Sequence, residues 1–411
     1  LAKWTQVTMH LQIGHTHSCH HPGTHPIPER EIRRNPSALH NTRFKKIRRK
    51  EMLEGKRPSE CDYCWRVEDA ASDNTTFSDR ITKSAEDWSF SQIEKISTLP
   101  WDVDYYPSYV EVDFDTTCNF KCLYCSPSFS TTWMQEIKTH GPIVLPGNHW
   151  HHDLTWMKDQ DIMPIPAREE NPYILAFWEW WPEAVKHMKV FRITGGEPLM
   201  HTSTWKLLAS LKEDPMPKLE LNINSNLGVK PALVDKMVEY VNHLTVSKGI
   251  KRFKLYTSID TWGPRAEYIR TGLDLKIWER NLDAYLKGTG QPISFMITFN
   301  ILSVTTFESL LEKILEWRSI YNQYNKTDQP QMVRFDTPYL KEPLQYDMNI
   351  LPKEEFMPYM YDALKFMEDN LDDTRADAFS TIEYEKFKRV VDYMAETVYS
   401  EDKLIEGRRD F

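Results

Sequence analysis

The sequence predicts an α/β protein built around a mostly parallel sheet, because β-rich segments alternate with helical segments from about residue 109 onward. Two further observations restrict the class of protein. Of its 411 residues, 40% are hydrophobic and 27% are charged, which is typical of a folded chain with a substantial core. The sequence contains no run of 18 or more apolar residues, so we expect no transmembrane helix and no membrane partner.

Six β-rich segments define the alternation. They are YVEVDF (109–114), KVFRIT (189–194), KLELNIN (218–224), FKLYTSID (253–260), ISFMITFNI (293–301) and QMVRFDT (331–337). Helical stretches such as TWKLLASLK, PALVDKMVEYVNHL and TFESLLEKILEWRSIY separate them. Six βα units are too few for a closed eight-stranded barrel, so we expect a partial (β/α)6 TIM-like barrel over residues 101–345.

The segments around these units differ from them in composition. Residues 1–100 are rich in His and Pro, with an extended start and then a basic helical stretch, so we expect a small separate domain there. Residues 346–411 are expected to form a C-terminal helical extension. A long insertion, about 139–182, contains HWHHD (149–153), interpreted as loop rather than metal ligands, and FWEWW (177–181), interpreted as packing.

The formal net charge of −9 argues against nucleic acid as a general partner. The charge is unevenly spread, since residues 29–57 are basic. That stretch fits a solvated helical face, and it also fits contact with RNA or with an acidic partner.

The six cysteines fall into two groups of three. The loop trio is Cys118, Cys122 and Cys125, and the N-terminal trio is Cys19, Cys61 and Cys64. A long chain with so few cysteines is not a disulfide scaffold, and the clustered spacings favour metal binding over bridges. We therefore expect a reducing, cytoplasmic location.

The loop trio stands in DTTCNFKCLYCSPS (115–128), directly after the first predicted strand, at a C-x3-C-x2-C spacing. Structural zinc and ordinary iron–sulfur cubes usually take four protein ligands, and no fourth cysteine lies nearby in the sequence. Three thiolates can hold three irons of a [4Fe–4S] cluster and leave the fourth iron open to a reactant. The spacing by itself also fits zinc.

The segment CNFKCLYC after the first strand, together with TGGEP after the second, closely resembles the radical SAM superfamily. The resemblance implies a [4Fe–4S] cluster whose open iron binds S-adenosylmethionine (SAM). It implies reductive cleavage of SAM to methionine and a 5′-deoxyadenosyl radical, which abstracts a hydrogen atom from a peptide side chain or a small molecule. A flavodoxin- or ferredoxin-like electron donor is implied as a partner.

The resemblance also assigns contacts with SAM residue by residue. Gly195 and Gly196 let the backbone approach the SAM amino group, because no Cβ intervenes, and Glu197 and Pro198 complete that turn. The other matching positions are Tyr124, Ser225, Asn226, Ser258, Asp260 and Arg270. An arginine suits the carboxylate of SAM because its planar donors are paired.

The segment SALHNTRFKKIRRKEMLEGKRPSECDYC resembles the auxiliary-cluster modules called SPASM or twitch domains, although those modules more often follow the barrel. The resemblance implies a second, auxiliary [4Fe–4S] cluster on the N-terminal trio, with His17, His20 or His21 as candidates for a fourth ligand. Zinc held by these cysteines and a histidine stays open at this point, as do thiols without a ligand.

A different class of function remains, namely a metal-cluster scaffold or RNA-binding protein without SAM chemistry. That alternative must treat the GGEP turn and Arg270 as coincidences. Release of methionine and 5′-deoxyadenosine after anaerobic reduction distinguishes the two classes.

Overall fold

The structure is a computed structural model that describes residues 1–19, 22–70, 78–146, 152–166 and 169–411. Its strands are β1 (Gln6–His10), β2 (His15–His17), β3 (His25–Pro26), β4 (Tyr109–Asp113), β5 (Lys121–Cys122), β6 (Val190–Thr194), β7 (Met216–Ser225), β8 (Ile250–Ser258), β9 (Arg270–Thr271), β10 (Ile293–Met296) and β11 (Val333–Asp336).

The helices before the second predicted strand are α1 (Ala2–Thr5), α2 (Glu29–Ile32), α3 (Arg43–Leu53), α4 (Asp62–Ala70), α5 (Asp79–Ala85), α6 (Asp87–Phe90), α7 (Ile93–Ser97), α8 (Thr131–His140), α9 (Leu154–Asp159) and α10 (Pro172–Ala184). Those after it are α11 (Thr202–Glu213), α12 (Pro231–Val246), α13 (Pro264–Ile269), α14 (Leu275–Thr289), α15 (Phe307–Tyr321), α16 (Lys353–Asp369), α17 (Thr381–Glu396) and α18 (Glu401–Asp410).

Nine strands form one sheet in the order β11-β10-β8-β7-β6-β4-β1-β2-β3. Every pair from β11 to β1 is parallel, whereas β1–β2 and β2–β3 are antiparallel. From β4 to β11 the sheet order follows the chain, and helices connect each strand to the next. The predicted α/β class with a parallel sheet is confirmed, and each of the six predicted strands is present.

The first residues of the chain belong to this sheet. Strand β1 pairs with β4 in parallel, from Gln6 beside Tyr109 to His10 beside Asp113. The region predicted as an N-terminal domain, residues 1–100, is therefore joined to the predicted barrel region by backbone hydrogen bonds. A small cluster of Trp4, Ile96 and Tyr105 also packs apart from the main core.

The basic stretch 29–57 is only partly exposed to solvent. Within α3, Lys45 and Arg49 are buried. The Lys45 ammonium donates to Thr16 Oγ1 at 2.7 Å, and the Arg49 guanidinium donates to Asn41 Oδ1 at 2.9 Å. A solvated face therefore describes only part of this stretch, because two of its cations hold the N-terminal strands and turns together.

The two faces of the sheet differ in polarity. On β8, Phe253 and Leu255 are fully buried against the helices, while the alternating Lys254 and Tyr256 are partly exposed on the other face. A row of polar cross-strand neighbours continues on that second face: Glu111 beside Arg192, Arg192 beside Asn222, and Asn222 beside Lys254. The sheet thus has one apolar face, covered by helices, and one polar face.

Of the last three helices, α17 packs beside β11, α16 packs on α15 and α17, and α18 packs against residues 344–350. A buried ion pair of 2.6 Å joins Arg318 on α15 to Glu383 on α17, and Phe387 lies 4.6 Å from Phe307 between ring centroids. The aromatic segment 177–181 lies on α10, where most of its side chains are buried, which agrees with its interpretation as packing. Within the described residues, no helix is both long and apolar enough to span a bilayer.

Candidate functional site

The loop that carries Cys118, Cys122 and Cys125 follows β4 and is held by the start of α8. The backbone N–H of Cys118 donates to Thr131 Oγ1 at 3.2 Å, and Thr132 Oγ1 donates to the Cys118 carbonyl at 2.6 Å. The indole of Trp133 donates to the Cys122 carbonyl at 2.8 Å. These bonds fix the loop at the carboxyl end of β4, where parallel sheets commonly place their sites.

All three loop thiols line one cavity of about 290 Å³ at the carboxyl ends of the strands. Seven of the ten residues matched to SAM contacts line the same cavity: Tyr124, Gly195, Gly196, Ser225, Asn226, Ser258 and Arg270. They come from loops and strands that are far apart in the sequence, and the parallel sheet brings them to one place.

The remaining three matched residues, Glu197, Pro198 and Asp260, are buried beside this cavity without lining it. The carboxylate of Glu197 accepts hydrogen bonds from Ser225 Oγ at 2.8 Å and from the backbone N–H of Asn226 at 2.6 Å. Burial raises the pKa of Glu197 to about 7, and these hydrogen bonds lower it in part. Glu197 therefore ties the turn after β6 to the end of β7.

The turn at Gly195 and Gly196 leaves no room for a side chain. A Cβ on Gly195, where φ is +85°, would lie 1.7 Å from Asp113 Oδ1. A Cβ on Gly196 would lie 2.4 Å from the carbonyl oxygen of Thr117, which belongs to the cysteine loop. Glycine at both positions lets this turn pack directly against the loop and keeps backbone exposed on the cavity wall.

The guanidinium of Arg270 joins the cysteine loop to the end of β8. It forms a 2.9 Å ion pair with Asp260 and donates to the hydroxyl of Tyr124 and, at 3.7 Å, to the sulfur of Cys122. Its Nε is buried with no hydrogen-bond partner in the described residues. Only 5% of Arg270 is exposed, so it is not a surface charge, and its Nε has a donor left for a ligand.

Burial raises the pKa of all three loop thiols, that of Cys118 to about 12. The nearest cation, Arg270, is already paired with Asp260, so the protein alone does not favour thiolates here. A bound metal would favour them, since metals take the deprotonated sulfur. The donor set and the cavity therefore fit a metal cluster.

No group of three or more His, Cys, Asp or Glu side chains in the described ranges converges closely enough to hold a single metal ion.

The N-terminal trio also meets at one cavity, of about 330 Å³. Cys19 follows β2 with a φ of 117°, Cys61 ends a short 3-10 helix at Ser59–Cys61, and Cys64 lies in the first turn of α4. All three are buried, and none of the six cysteines, each of which the structure describes, is in a disulfide.

Cations surround the N-terminal cavity. Lys3, Arg49 and Arg80 line it together with one carboxylate of the described residues, Glu60, to which the Lys3 ammonium is bonded, and Arg80 is paired with Glu68 at 2.6 Å. Burial lowers the pKa of Lys3, while its proximity to Cys61 opposes that shift. Arg49 has no carboxylate partner among the described residues and donates to neutral groups, so its charge favours a thiolate or another anion in this cavity.

A pair of histidines lies between the two cysteine regions. His17 is buried, its Nδ1 is bonded to the carbonyl of Cys19, and its ring stacks on His10 at 5.4 Å between centroids. His10 Nδ1 in turn lies 3.6 Å from Asp113 Oδ2 at the end of β4. His17 is thus adjacent to the N-terminal trio, and the antiparallel β1–β2 pair links that trio to the loop cavity.

The other histidines singled out from the sequence add little to either site. His20 and His21 lie outside the described residues, as do the first three residues of HWHHD (149–153). His152 is buried, with its ring 4.3 Å from that of Trp133, and Asp153 caps α9. The described part of this segment therefore packs on α8.

Sequence reasoning missed five residues that line the loop cavity: Phe120, Phe129, Thr194, Asn224 and Thr298. Thr194 ends β6, Asn224 is the penultimate residue of β7, and Thr298 lies two residues beyond β10. The rule that sites collect at the carboxyl ends of parallel strands would have identified these three.

No family model, no curated protein and no solved structure matches this chain.

Proposed function

We propose that this protein is a radical SAM enzyme that cleaves SAM reductively and abstracts a hydrogen atom from a peptide side chain or a small molecule. The observation that carries the proposal is the cavity at the carboxyl ends of the strands. It gathers the three cysteines, both glycines of the GGEP turn, Ser258 and Arg270, which a coincidental sequence match would have no reason to bring together. The proposal includes an electron donor of flavodoxin or ferredoxin type.

We infer that the sheet from β4 to β11 corresponds to a partial (β/α)6 barrel. Its six parallel strands follow one another in chain order with helices between them, as in one portion of a βα barrel. The polar face of the sheet, opposite the helices, would then line the inside of that barrel.

Each side chain has a role that its position supports. Cys118, Cys122 and Cys125 would each bind one iron and leave a fourth iron for the amino and carboxylate groups of SAM. The exposed backbone at Gly195 would meet the amino group, and the unpaired Nε of Arg270 would donate to the carboxylate. When bound and reduced, the cluster supplies the electron that cleaves SAM, and the buried cavity wall limits access of water to the radical.

The proposal extends to a second [4Fe–4S] cluster on Cys19, Cys61 and Cys64. The guanidinium of Arg49, which lines this cavity without a carboxylate partner among the described residues, suits an anionic thiolate-ligated cluster. His17 is the described histidine nearest in the chain to this trio, and it is buried next to Cys19. Zinc is the alternative occupant, and metal analysis distinguishes the two.

The proposed function is tested by SAM cleavage. The full chain is reconstituted with iron and sulfide without oxygen, reduced with dithionite and incubated with SAM, and 5′-deoxyadenosine and methionine are measured by mass spectrometry. We expect equimolar release of both products, even without substrate, at a low rate. Protein that contains a [4Fe–4S] cluster and releases neither product would overturn the proposal in favour of a metal-cluster scaffold.

A further inference from the structure

A second large cavity lies at the opposite end of the sheet. It encloses about 940 Å³ and is lined by the first residues of β4, β6 and β8, by the first half of β7, and by α5 and α6. Ser258, the last residue of β8, lines the loop cavity. Lys251, Arg252 and Lys254, near the beginning of the same strand, line this second cavity. The proposed SAM chemistry makes no use of it.

The lining of this cavity is strongly basic, although the whole chain is acidic. Eight cationic side chains reach it: Lys83, Lys186, Lys189, Arg192, Lys218, Lys251, Arg252 and Lys254. Only three carboxylates line it with them, Glu86, Asp87 and Glu220. In a protein of net charge −9, this concentration of positive charge at one concave site favours an anionic ligand.

Several of these cations already have carboxylate partners. Glu220 lies 2.8 Å from both Arg252 and Lys254, and Asp87 lies 3.3 Å from Lys189. Lys186 and Arg192 are paired with Glu183 at 2.7 Å and Glu111 at 3.9 Å, whereas Glu86 has no ion pair in the described residues.

Three lysines are left over. Lys83, Lys218 and Lys251 have no ion pair or side-chain hydrogen bond in the described part of the chain, and they come from α5, β7 and β8. All three line the same cavity, so one multivalent anion bound there would be attracted by each of them. A lysine ammonium binds phosphate as a point charge, which suits a site assembled from separate segments.

A buried amide gives independent evidence for a ligand. Asn222 is 4% exposed and lines the cavity, and its Oδ1 is buried without a hydrogen-bond partner among the described residues. Buried polar groups are nearly always hydrogen-bonded, so this oxygen can accept a hydrogen bond from a donor on the organic part of a ligand, although it cannot bind a phosphate oxygen.

A polar layer separates this cavity from the loop cavity. Arg192 lies over the ring of Tyr256 at 4.6 Å and donates from Nε to Asn224 Oδ1 at 3.0 Å. Arg192 and Tyr256 line the basic cavity, whereas Asn224 lines the loop cavity. The two cavities thus share a wall, and a ligand in one does not overlap a ligand in the other.

We propose that this basic cavity binds a phosphate-bearing small molecule. The positive charges of the lining offset the negative charge of the phosphate, and the lysine ammonium groups bind its oxygens. The rings of Tyr109 and Trp88, which line the same cavity, pack against the organic part of the molecule. The site stands apart from the proposed SAM chemistry, so its test does not depend on that chemistry.

The test is isothermal titration calorimetry of the purified full chain at fixed ionic strength, with inorganic pyrophosphate and with ADP as probes. We expect saturable binding of at least one probe at one site per chain. Equal affinity for both probes would show recognition of phosphate alone, and tighter binding of ADP would show recognition of a phosphate carried on an organic group. If neither probe binds saturably, the proposal is wrong.

Single lysine substitutions test whether the probe binds in the basic cavity. Lys218→Gln and Lys251→Gln remove exposed, unpaired ammonium groups, so we expect normal folding and affinity reduced about three- to tenfold each, as for one lost charged contact. The matched control is Lys276→Gln, which removes an equally exposed lysine at the start of α14, and it should change affinity less than about twofold. If all three substitutions weaken probe binding equally, the attraction is nonspecific and the proposed site is wrong.

Discussion

The two cysteine trios reach a similar arrangement, three thiols on one cavity, by different routes. Cys118, Cys122 and Cys125 lie in a single loop that β4 and α8 hold from its two ends. The N-terminal trio is assembled from the turn after β2 and from the start of α4, with α2 and α3 between them in the chain. Local spacing therefore specifies the loop trio, whereas the N-terminal trio depends on the fold of the whole first region.

The electrostatic surroundings of the two trios differ as well. Beside the loop thiols, the guanidinium of Arg270 is neutralised by Asp260, and burial raises the thiol pKa values. Around the N-terminal thiols, Lys3 is paired with Glu60 and Arg80 with Glu68, whereas Arg49 donates to neutral groups. The N-terminal cavity therefore has one cation without a carboxylate partner among the described residues, while the cation beside the loop thiols is neutralised.

The largest expected effect is on metal content. If each trio holds a [4Fe–4S] cluster, the reconstituted protein should contain about eight irons, and replacing either trio by alanine should leave about four. Iron and zinc are measured together by mass spectrometry on protein purified without exposure to air. Zinc bound by the N-terminal trio in place of iron would break the similarity between the two regions.

Gly195→Ala tests how closely the loop region is packed. The new Cβ would overlap Asp113, and the backbone has positive φ, so we expect a loss of about 2–5 kcal/mol in unfolding free energy and no SAM cleavage. Gly263→Ala is the matched control, since its φ is +82° but a Cβ there would have nothing within 4 Å.

The Gly263→Ala variant should lose about 1–3 kcal/mol of unfolding free energy, because alanine is strained at a positive φ, and it should still cleave SAM. Urea denaturation and the cleavage assay measure both effects. Equal losses in the two variants would show that backbone strain, and not overlap with Asp113, sets the requirement for glycine at position 195.

Arg270→Lys tests the paired donors at the loop cavity. An ammonium cannot keep the contacts with Asp260 and Tyr124 and also present a donor to a ligand, so SAM should bind about ten- to a hundredfold more weakly. Arg280→Lys, which alters an exposed arginine paired with Asp235, is the control and should leave SAM affinity within about twofold. An equally small effect at both positions would remove Arg270 from the site.

The last expected effect is a pH dependence of stability that two buried histidines of the N-terminal region produce. Burial lowers the pKa of His25 to about 2 and also lowers that of His40. In the unfolded chain these histidines take up protons below about pH 6.5, which the folded state resists, so stability should fall with decreasing pH. Each histidine should contribute a slope of about 1.4 kcal/mol per pH unit between pH 6 and 4.

Urea denaturation of the wild-type protein and of His25→Gln across that pH range measures the contribution. The substitution should remove about half of the slope assigned to the two histidines, whatever its effect on stability at pH 7. Identical slopes in both proteins would show that His25 is protonated, or is accessible to solvent, in the folded state.

Much of the fold and part of the site could be predicted from sequence, because both follow from local patterns. Alternating β-rich and helical segments located six of the seven strands in the parallel part of the sheet, and the spacing of cysteines and glycines identified residues that line one cavity. Strand β1 could not be recognised as part of the sheet, since its partner β4 lies about a hundred residues away in sequence. Pairing between distant segments is set by tertiary packing and leaves little local signal.

Side-chain direction was the second limit on prediction. Glu197 and Gly196 are neighbours in one turn, yet only the glycine reaches the cavity, because Glu197 turns inward to bind Ser225 and Asn226. The burial of Lys45 and Arg49 was equally hidden, since a basic run in a sequence is typical of a solvated face. The direction in which a side chain points depends on the backbone geometry and on contacts with residues that are distant in the sequence.

The central claim is that the loop trio, and not the N-terminal trio, carries SAM cleavage. It is tested most directly by assaying two triple-alanine variants side by side, one at Cys118, Cys122 and Cys125 and one at Cys19, Cys61 and Cys64. Both are reconstituted and reduced in the same way, and release of 5′-deoxyadenosine is measured. We predict no release from the loop variant and retained release from the N-terminal variant, whereas release from the loop variant at the wild-type rate would contradict the account.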